Sequence, residues 1–467
     1  MKSEGLGGGR NMTVVGVLLA VLTAGAWGWG AAPKWAEAIG GDGDESAFSI
    51  QQTADSGAIV AGYGRKLIST PYSYDGILVV KLDGKGAIKW QKAYTEGLGG
   101  ADLRERTRVV RQTKDGGYIV AGGVETPPSC LYQALVLKLD ESGNMVWQKT
   151  YGGRVATARS IQQTSDGGYI LAIEVEYLDY RPTDIWLLKL DANGNITWQK
   201  KYGSRQEYEY PTSIQQTGDK GYIVAGGVHG KEYPWTHDGI LLKVDSVGNL
   251  AWWKKFGGAK NDRVQSVHQT KGRGYVVGGY TTSYGSGEQD AWVVKFDSGG
   301  AIEWQKTYGG TKNDTAESVQ QTKDGGYVFA GMTELVGSYS DAWLVKLDKQ
   351  GLPAFQKYFG AQVGPQSAKT AWQTKDLGFL LAGFSPSFGG GDADLWVIRA
   401  DKTGLINAAC EATGDTAATV KDSTATVSDY TAEVATTYAT PVAGTLVAVT
   451  TQATTFVVCG GAIAHSD

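Results

Sequence analysis

Aromatic and acidic side chains gather in seven stretches that separate otherwise repeated segments of the chain. Aromatic rings interspersed with Ser, Gly and carboxylates suit stacking against sugars or docking of a protein. The alternative is that the tyrosines only cover the ends of the core. We predict these residues as ligand contacts: Tyr177, Tyr180, Tyr233, Trp235, Tyr284, Tyr339 and Phe388.

The same stretches hold carboxylates that could act as the acid and base of a glycosidase. That chemistry needs two carboxyl groups roughly 5–10 Å apart across a cleft, a spacing that sequence does not show. We therefore treat catalysis as the alternative to binding. The candidate carboxylates are Glu174, Glu176, Asp179, Glu232 and Asp238.

Metal and nucleophile chemistry has weaker support, and we expect no cofactor. His229 and His237 lie eight residues apart, which is not a strong metal spacing. His268 replaces a repeated Gln, and we favour a structural role for it. No Gly-x-Ser-x-Gly or His-Glu-x-x-His pattern occurs. One acidic run offers oxygen ligands for Ca²⁺, although a turn is the simpler interpretation: Asp42, Asp44 and Glu45.

These stretches interrupt a sevenfold repeat. The pair Gln-Thr recurs with Gln at positions 52, 112, 163, 216, 269, 321 and 373, at intervals of 51 to 60 residues. Each unit holds four short apolar runs separated by turn signals such as Asp166-Gly167-Gly168 and Asn193-Gly194. Four short strands at a period near 50 residues are typical of a β-propeller blade.

The seventh unit lacks its fourth strand, because Leu405-Ile-Asn-Ala-Ala-Cys410 replaces the usual Trp-Gln-Lys sequence. A matching segment, Pro33–Gly41, precedes the first unit instead. We therefore predict an all-β fold, a seven-bladed propeller of four-stranded blades over residues 31–409. An N-terminal strand closes this ring and removes its open edges, and the first strand of each blade lies innermost.

Repeated large and polar side chains should hold the ring together. We expect the repeated Gln residues to stabilise it, and the tryptophans to fill the spaces within and between blades. The third-strand set is Trp186, Trp292, Trp343 and Trp396. The fourth-strand set is Trp35, Trp90, Trp147, Trp198, Trp252 and Trp304, with Phe355 in the seventh unit.

Composition and the N-terminal residues indicate export. The chain of 467 residues is 42% apolar and 20% charged with a net charge of −4, and no basic stripe suggests nucleic-acid binding. Lys2 and Arg10 precede an apolar run at 14–22 and small residues, so residues 1–30 are predicted to be a signal peptide. A retained anchor is the alternative. The mature chain should be extracellular, on the cell surface or periplasmic, without a membrane span.

Residues 410–467 change in composition to Thr, Ser, Ala and Val. Ala418-Thr-Val420 and its relatives recur every seven residues, and alternating Thr and Val favour strands. A β appendage and a flexible, glycosylated stalk are both compatible, and we favour the appendage, with self-association through it. Cys410 and Cys459 are predicted to form a disulfide that brackets the segment, whereas Cys130 stays unpaired.

The repeat Q-T-x-D-G-G-Y-I-V-A-G followed by D-x-W-L-L-K-L-D-x-x-G-N-I-x-W-Q-K-x-Y-G-G resembles secreted prokaryotic propeller-repeat proteins. It is distantly similar to quinoprotein-like propellers. The resemblance covers residues 33–409 and implies a fold rather than an activity.

We expect a secreted or cell-surface binding or adhesion module that holds a glycan or a surface protein on its loop face. The alternatives are a carbohydrate-active enzyme and a structural subunit of a surface layer or filament.

Overall fold

The computed structural model divides the chain into Met1–Ala32 and Pro33–Asp467, and the residues that it describes all belong to the second unit. They are 34–40, 44–64, 76–96, 106–126, 131–152, 155–176, 183–204, 206–230, 235–334, 339–360, 364–386, 393–406 and seven short segments between 413 and 457.

The described residues form strands and turns without a helix. Strand β1, Trp35–Gly40, precedes the first blade. Blades 1 and 2 comprise β2 Glu45–Gln52, β3 Ala58–Gly64, β4 Gly76–Leu82, β5 Ile88–Glu96, β6 Arg106–Gln112, β7 Tyr118–Thr126, β8 Leu131–Leu139 and β9 Met145–Tyr151. Blades 3 and 4 comprise β10 Val155–Gln163, β11 Tyr169–Glu176, β12 Asp184–Leu190, β13 Ile196–Gly203, β14 Glu207–Gln216, β15 Tyr222–Gly230, β16 His237–Val244 and β17 Leu250–Gly257.

The remaining blades repeat the pattern. Blades 5 and 6 comprise β18 Asp262–Gln269, β19 Tyr275–Thr281, β20 Asp290–Phe296, β21 Ile302–Gly309, β22 Asp314–Gln321, β23 Tyr327–Thr333, β24 Asp341–Leu347 and β25 Pro353–Phe359. Blade 7 contains β26 Ser367–Gln373, β27 Phe379–Ser385 and β28 Asp394–Ala400. The C-terminal strands are β29 Thr413–Asp415, β30 Thr419–Asp422, β31 Thr426–Asp429, β32 Glu433–Thr436, β33 Val442–Ala443, β34 Leu446–Thr450 and β35 Thr454–Val457.

Each blade is an antiparallel meander, and blade 7 is completed from the other end of the chain. Strand β1 pairs with β28, with Trp35 opposite Arg399 and Ile39 opposite Leu395. A parallel bridge between Asp44 and Ala393 joins the first blade to the last. The predicted seven four-stranded blades and their closure by the N-terminal strand are therefore confirmed.

The predicted strand character of the C-terminal segment is confirmed for its described residues, but these strands form no sheet of their own. Each adds a fifth, outermost strand to one blade. The chain visits blades 6, 5, 4, 3, 2, 1 and 7 in that order, opposite to the order of the repeat. Because β35 pairs with β1, the closing N-terminal strand lies between two strands from the other end of the chain.

Neighbouring blades are joined by the side chains that the repeat conserves. A Cβ on Gly143, in the tight turn between β8 and β9, would lie 2.8 Å from the ring of Trp90 in blade 1, and φ of this glycine is 75°. Only glycine allows both the positive φ and the approach of the ring. The same contact recurs around the whole ring, from Trp35 against Gly86 to Phe355 against Gly404. The predicted role of the fourth-strand aromatics between blades is thus confirmed.

The repeated Gln-Thr pairs form a closed ring of hydrogen bonds. The side-chain oxygen of Gln112 accepts a hydrogen bond of 2.8 Å from the backbone N–H of Ala54 in the preceding blade. The last bond joins blade 7 to blade 1, from the N–H of Lys375 to Gln52. These bonds confirm the predicted ring-stabilising role of glutamine. The other acceptors are Gln163, Gln216, Gln269, Gln321 and Gln373.

Candidate functional site

The meander gives the propeller two different faces. The turns between strands 1 and 2, and between strands 3 and 4, lie on one face, which we call the turn face. The links between strands 2 and 3, and from one blade to the next, lie on the other, the loop face. This follows from the antiparallel pairing within each blade.

The charged residues of the turn face serve the scaffold. In blade 3 the buried amine of Lys189 lies 2.9 Å from Asp166, which also accepts hydrogen bonds from Thr164 and the N–H of Gly168. Partial burial works against ionisation, but the hydrogen bonds from Thr164, Lys189 and Gly168 lower the pKa of Asp166 to about 2. Blades 2, 4 and 6 repeat the pair with Asp115, Asp219 and Asp324.

Blade 5 departs from this arrangement. Its turn has Gly272 where the other blades have Asp, and Lys295 instead lies 2.6 Å from Glu303 of the fourth strand. The lysine is buried in either case. A substitute acid is therefore needed, since a buried ammonium group without a partner is costly.

On the loop face, the innermost strands surround an axial cavity of about 330 Å³. Each innermost strand has an extra, unpaired residue at the same place, such as Arg159 between Ala158 and Ser160. The extra residue of a β-bulge re-aims its side chain, and six of the seven line the cavity. They are Phe48, Arg159, Thr212, Gln265, Glu317 and Lys369. The seventh bulge residue is Arg108, whose side chain is outside the described part.

These bulge residues were missed by sequence reasoning, although a signal for them exists. Each lies four positions before the Gln of a Gln-Thr pair, within an otherwise repeated strand. The residue type is aromatic, cationic, anionic or neutral polar, depending on the blade. Variation at one position of a repeat indicates a place where the scaffold does not dictate the residue, and the structure puts that place in the channel.

The charged channel residues whose side chains the structure describes form pairs. The guanidinium of Arg159 donates to Glu174, with Nε 2.6 Å from Oε2, and the amine of Lys369 lies 3.5 Å from Glu317. Burial, with a smaller effect from neighbouring Glu174, raises the pKa of Glu176. Glu174, a candidate catalytic acid, therefore forms an ion pair with Arg159.

A cluster of rings from blade 4 lies on the same face. The His229 ring stacks on Tyr208 with centroids 4.8 Å apart and planes 7° from parallel. Trp235 lies 5.9 Å from His229, and 54% of its surface is exposed. The His237 ring also packs on His229, with the two ring centroids 4.6 Å apart. We call these four residues, Tyr208, His229, Trp235 and His237, the aromatic cluster.

His237 is held neutral and connects the cluster to the channel. Burial first, and then the charge of Arg263 and the neighbouring His229, lower the pKa of His237 to about 4. Its Nε2 lies 3.0 Å from the Arg263 guanidinium, which can only donate, so Nδ1 carries the proton and donates to the Tyr210 hydroxyl 3.3 Å away. Tyr210 lies two residues before the bulge at Thr212.

Of the predicted aromatic contacts, Trp235 and Tyr339 are exposed, Tyr339 at 48%. Tyr284 is half-buried: its hydroxyl donates to the carbonyl of Gly257 at 3.0 Å, and its ring packs on Trp292. It therefore supports the core of blade 5, and its contact with a ligand stays a prediction. The others lie outside the described residues: Tyr177, Tyr180, Tyr233 and Phe388.

The remaining candidate acids also differ in their burial and in their partners. Asp238 is half-buried and lies 3.3 Å from Lys255, and burial raises its pKa. Glu45 is buried and its N–H donates to the Ala393 carbonyl at 2.6 Å, so it belongs to the closing junction. Asp44 forms the adjoining bridge. Asp42, Asp179, Glu232 and the three cysteines, Cys130, Cys410 and Cys459, lie outside the described residues.

Two searches of the described ranges found nothing. Within them no three His, Cys, Asp or Glu side chains come together in a way that could hold a metal ion. Nor does that part of the chain contain a helix with the length and apolar character needed to cross a membrane.

Comparison with known proteins adds little beyond the fold. No protein-family model matches the chain, and no curated protein matches it. Among solved structures, it is similar to the crystal structure of Chaetomium thermophilum Sqt1, with a TM-score of 0.40 and 10% sequence identity. That alignment covers 78% of this chain and 97% of the other. The β-propeller is a fold that commonly mediates binding.

Proposed function

We propose that the protein is a binding module that holds a glycan on its loop face, at the aromatic cluster and the adjoining mouth of the channel. The observation that carries this proposal is the exposed ring of Trp235 beside the Tyr208–His229 stack. Exposed tryptophan presents a large apolar surface that suits the CH face of a sugar ring. The Tyr208–His229 stack holds the Trp235 ring in place before a ligand binds. Little side-chain freedom is therefore lost on binding, which favours affinity.

Polar groups for sugar hydroxyls stand beside this ring. The Tyr210 hydroxyl, the neutral His237 and the Arg263 guanidinium form one hydrogen-bonded chain. The channel adds hydrogen-bond donors and acceptors at Arg159, Thr212 and Gln265. Because the described channel charges pair as Arg159 with Glu174 and Lys369 with Glu317, a neutral glycan fits better than a strongly charged one.

Glycan-array binding of the full chain, followed by calorimetry on the best ligand, tests the proposal. An aromatic contact is worth roughly 0.5–1.5 kcal/mol beyond its area, so Trp235→Ala should weaken binding at least about fivefold. Trp235→Phe should retain much of the affinity. Val247→Ala is the matched control, since Val247 is also 54% exposed and lies in a turn of the same blade on the turn face. Equal affinity of the Trp235→Ala variant and the original chain contradicts the proposal.

The surroundings of the protein are part of the proposal. The predicted signal peptide supports a place outside the cytoplasm, in keeping with the resemblance to secreted prokaryotic propeller-repeat proteins. Cell fractionation with N-terminal sequencing should recover the chain outside the cytoplasm with a start close to residue 31. Recovery of the intact N-terminus from the cytoplasm contradicts it.

A further inference from the structure

The outer edges of the seven blades are paired with strands of the C-terminal segment. In a propeller of four-stranded blades, each fourth strand would present unpaired N–H and C=O groups to its surroundings. Here the C-terminal strands β29–β35 pair antiparallel with all seven outer edges. This pairing is strand addition, the mode by which sheet edges bind extended peptides.

The pairing uses one register in successive blades. In blades 3, 4 and 5, the fourth strand ends in an aromatic residue and Gly, and a valine of the C-terminal segment lies opposite the aromatic residue. The register pairs are Tyr202 with Val434, Phe256 with Val427 and Tyr308 with Val420. The pattern is short and repeated, so these three edges and three strands share one pairing register.

In the register of blades 4, 5 and 6, a lysine of the fourth strand is the partner of an aspartate of the added strand. Cross-strand partners of opposite charge favour such a register. The pairs are Lys254 with Asp429, Lys306 with Asp422 and Lys357 with Asp415.

The seven-residue spacing of the segment has a simple origin. Four-residue strands, such as Thr419–Asp422 and Thr426–Asp429, begin seven residues apart and pair with successive blades. The segment is therefore a series of similar strands that follows blade 7 in the sequence. Nothing in the register requires that the segment and the ring belong to the same molecule.

We propose that these edges also accept the C-terminal segment of a second copy of this chain, so that two copies exchange segments and self-associate. The strand pairings are identical within one molecule and between two, and only the effective concentration separates the two states. For two binding sites joined by a short stretch of chain, this concentration is on the order of millimolar. Exchange should therefore be absent in dilute solution and populated near 1 mM or after joint refolding.

The first experiment uses the natural Lys–Asp register pairs. Equal amounts of ¹⁴N- and ¹⁵N-labelled full chain are mixed at about 1 mM and at about 1 µM, both as native protein and after refolding together. A carbodiimide then joins amines to adjacent carboxylates, and mass spectrometry reads the Lys306–Asp422 and Lys254–Asp429 links. The ring's own pair of Lys189 with Asp166, 2.9 Å apart, is the control that must stay unmixed.

We expect mixed-isotope links of the C-terminal segment at the high concentration, up to half of all its links, and none at the low one. Segment links that stay unmixed in every arm overturn the proposal. Failure to find any link between the segment and the fourth strands overturns it as well, since the edges would then not hold the segment. Loss of glycan binding has no bearing on either result.

A second experiment forces the exchange with charge. One variant changes the three aspartates to lysine, and the other changes the three lysines to aspartate, so that each repels its own segment and attracts that of the other. Mixing the two should give a dimer by light scattering, whereas each alone should not form this species. A mixture that stays monomeric overturns the proposal. The substituted residues are Asp415, Asp422 and Asp429 in the first variant, and Lys254, Lys306 and Lys357 in the second.

Discussion

Two buried carboxyl groups face each other where blade 5 meets blade 6. Asp290 begins β20, Asp314 begins β22, and both are at most 2% exposed. One oxygen of each lies 2.6 Å from the position that a Cβ on Gly309 would occupy, so the two oxygens are at most twice that distance apart. Two like charges this close in a buried site disfavour ionisation of both. The pair therefore binds a proton that the unfolded chain releases.

The sign and size of the effect follow from the pKa of Asp314. Burial, with the charge of Asp290, raises it to about 6, although hydrogen bonds from Thr333 and Gly310 act in the other direction. Stability from this junction is present below pH 4 and is lost as the pH rises through 6, because the folded state binds more protons over that range. A shift of about two units corresponds to about 2–3 kcal/mol.

Asp290→Asn replaces one of the two neighbouring carboxyl groups by an amide. One oxygen of Asp290 accepts hydrogen bonds from the N–H groups of Ser286 and Gly287 at 3.1 and 2.9 Å, and the Asn carbonyl can keep both. Its NH₂ group then points to Asp314 and donates. At the junction of blades 6 and 7, Asp341 and Gln366 both lie beside Gly360, so a carboxamide there takes the place of the second carboxyl group.

Burial of Asp314 remains in the variant, so only part of this free energy is recovered. We expect Asp290→Asn to raise the free energy of unfolding by about 1 kcal/mol at pH 8 and to change it little at pH 4. Urea titrations followed by tryptophan fluorescence at several pH values measure this. Asp166→Asn is the counter-variant: its pKa is lowered, so it should lose stability above pH 4, by about 1 kcal/mol since Asp166 is largely exposed. If Asp290→Asn has the same effect at pH 4 and 8, or destabilises more at pH 8, repulsion between the two carboxylates is refuted as the cause.

Two further predictions concern the repeat. Gly143→Ala should cost about 2–4 kcal/mol, because its Cβ would meet the Trp90 ring at φ 75°; Gly167→Ala, at φ 87° with nothing within 4 Å, should cost only about 1 kcal/mol for the backbone. Equal losses of thermal stability contradict a contact with Trp90. In blade 5, Glu303→Gln should destabilise by about 1–3 kcal/mol because Lys295 loses its charged partner, and the further change Gly272→Asp should restore part of that loss.

Much of the fold could be predicted because each sequence signal occurs in all or most of the seven repeats. A single Asn-Gly turn or Trp-Gln-Lys run is weak evidence, but its recurrence at one spacing sets the number of blades. The missing fourth strand of the last unit and its match at Pro33–Gly41 then fix the closure. The Gln ring was also predictable, since a polar residue repeated in a buried strand needs a partner in every unit.

The site was harder to predict because local sequence does not show what a side chain faces. Tyr284 and Trp235 are both aromatic residues of the loops and cannot be distinguished in the sequence. In the structure, the Tyr284 hydroxyl donates to the carbonyl of Gly257, whereas the Trp235 ring is exposed to solvent. Likewise, Arg159 and Lys369 lie in strands that read as scaffold. Only the bulge, an extra residue in the pairing, directs them into the channel, and sequence gives no register.

The C-terminal segment shows the same limit at a larger scale. Its seven-residue period excluded neither an appendage nor a stalk, because four-residue strands of Thr and Val are too short to predict a partner. The seven-residue period can be explained only together with the ring, in which each blade offers an outer edge to one of these strands. The segment thus depends on the ring for its structure, while the ring depends on the segment to cover edges that would otherwise associate. The two parts should unfold in order, the segment first, and hydrogen exchange should show low protection in β30–β32 while the inner strands remain protected. Equal protection of both would mean that the segment and the ring unfold as one unit.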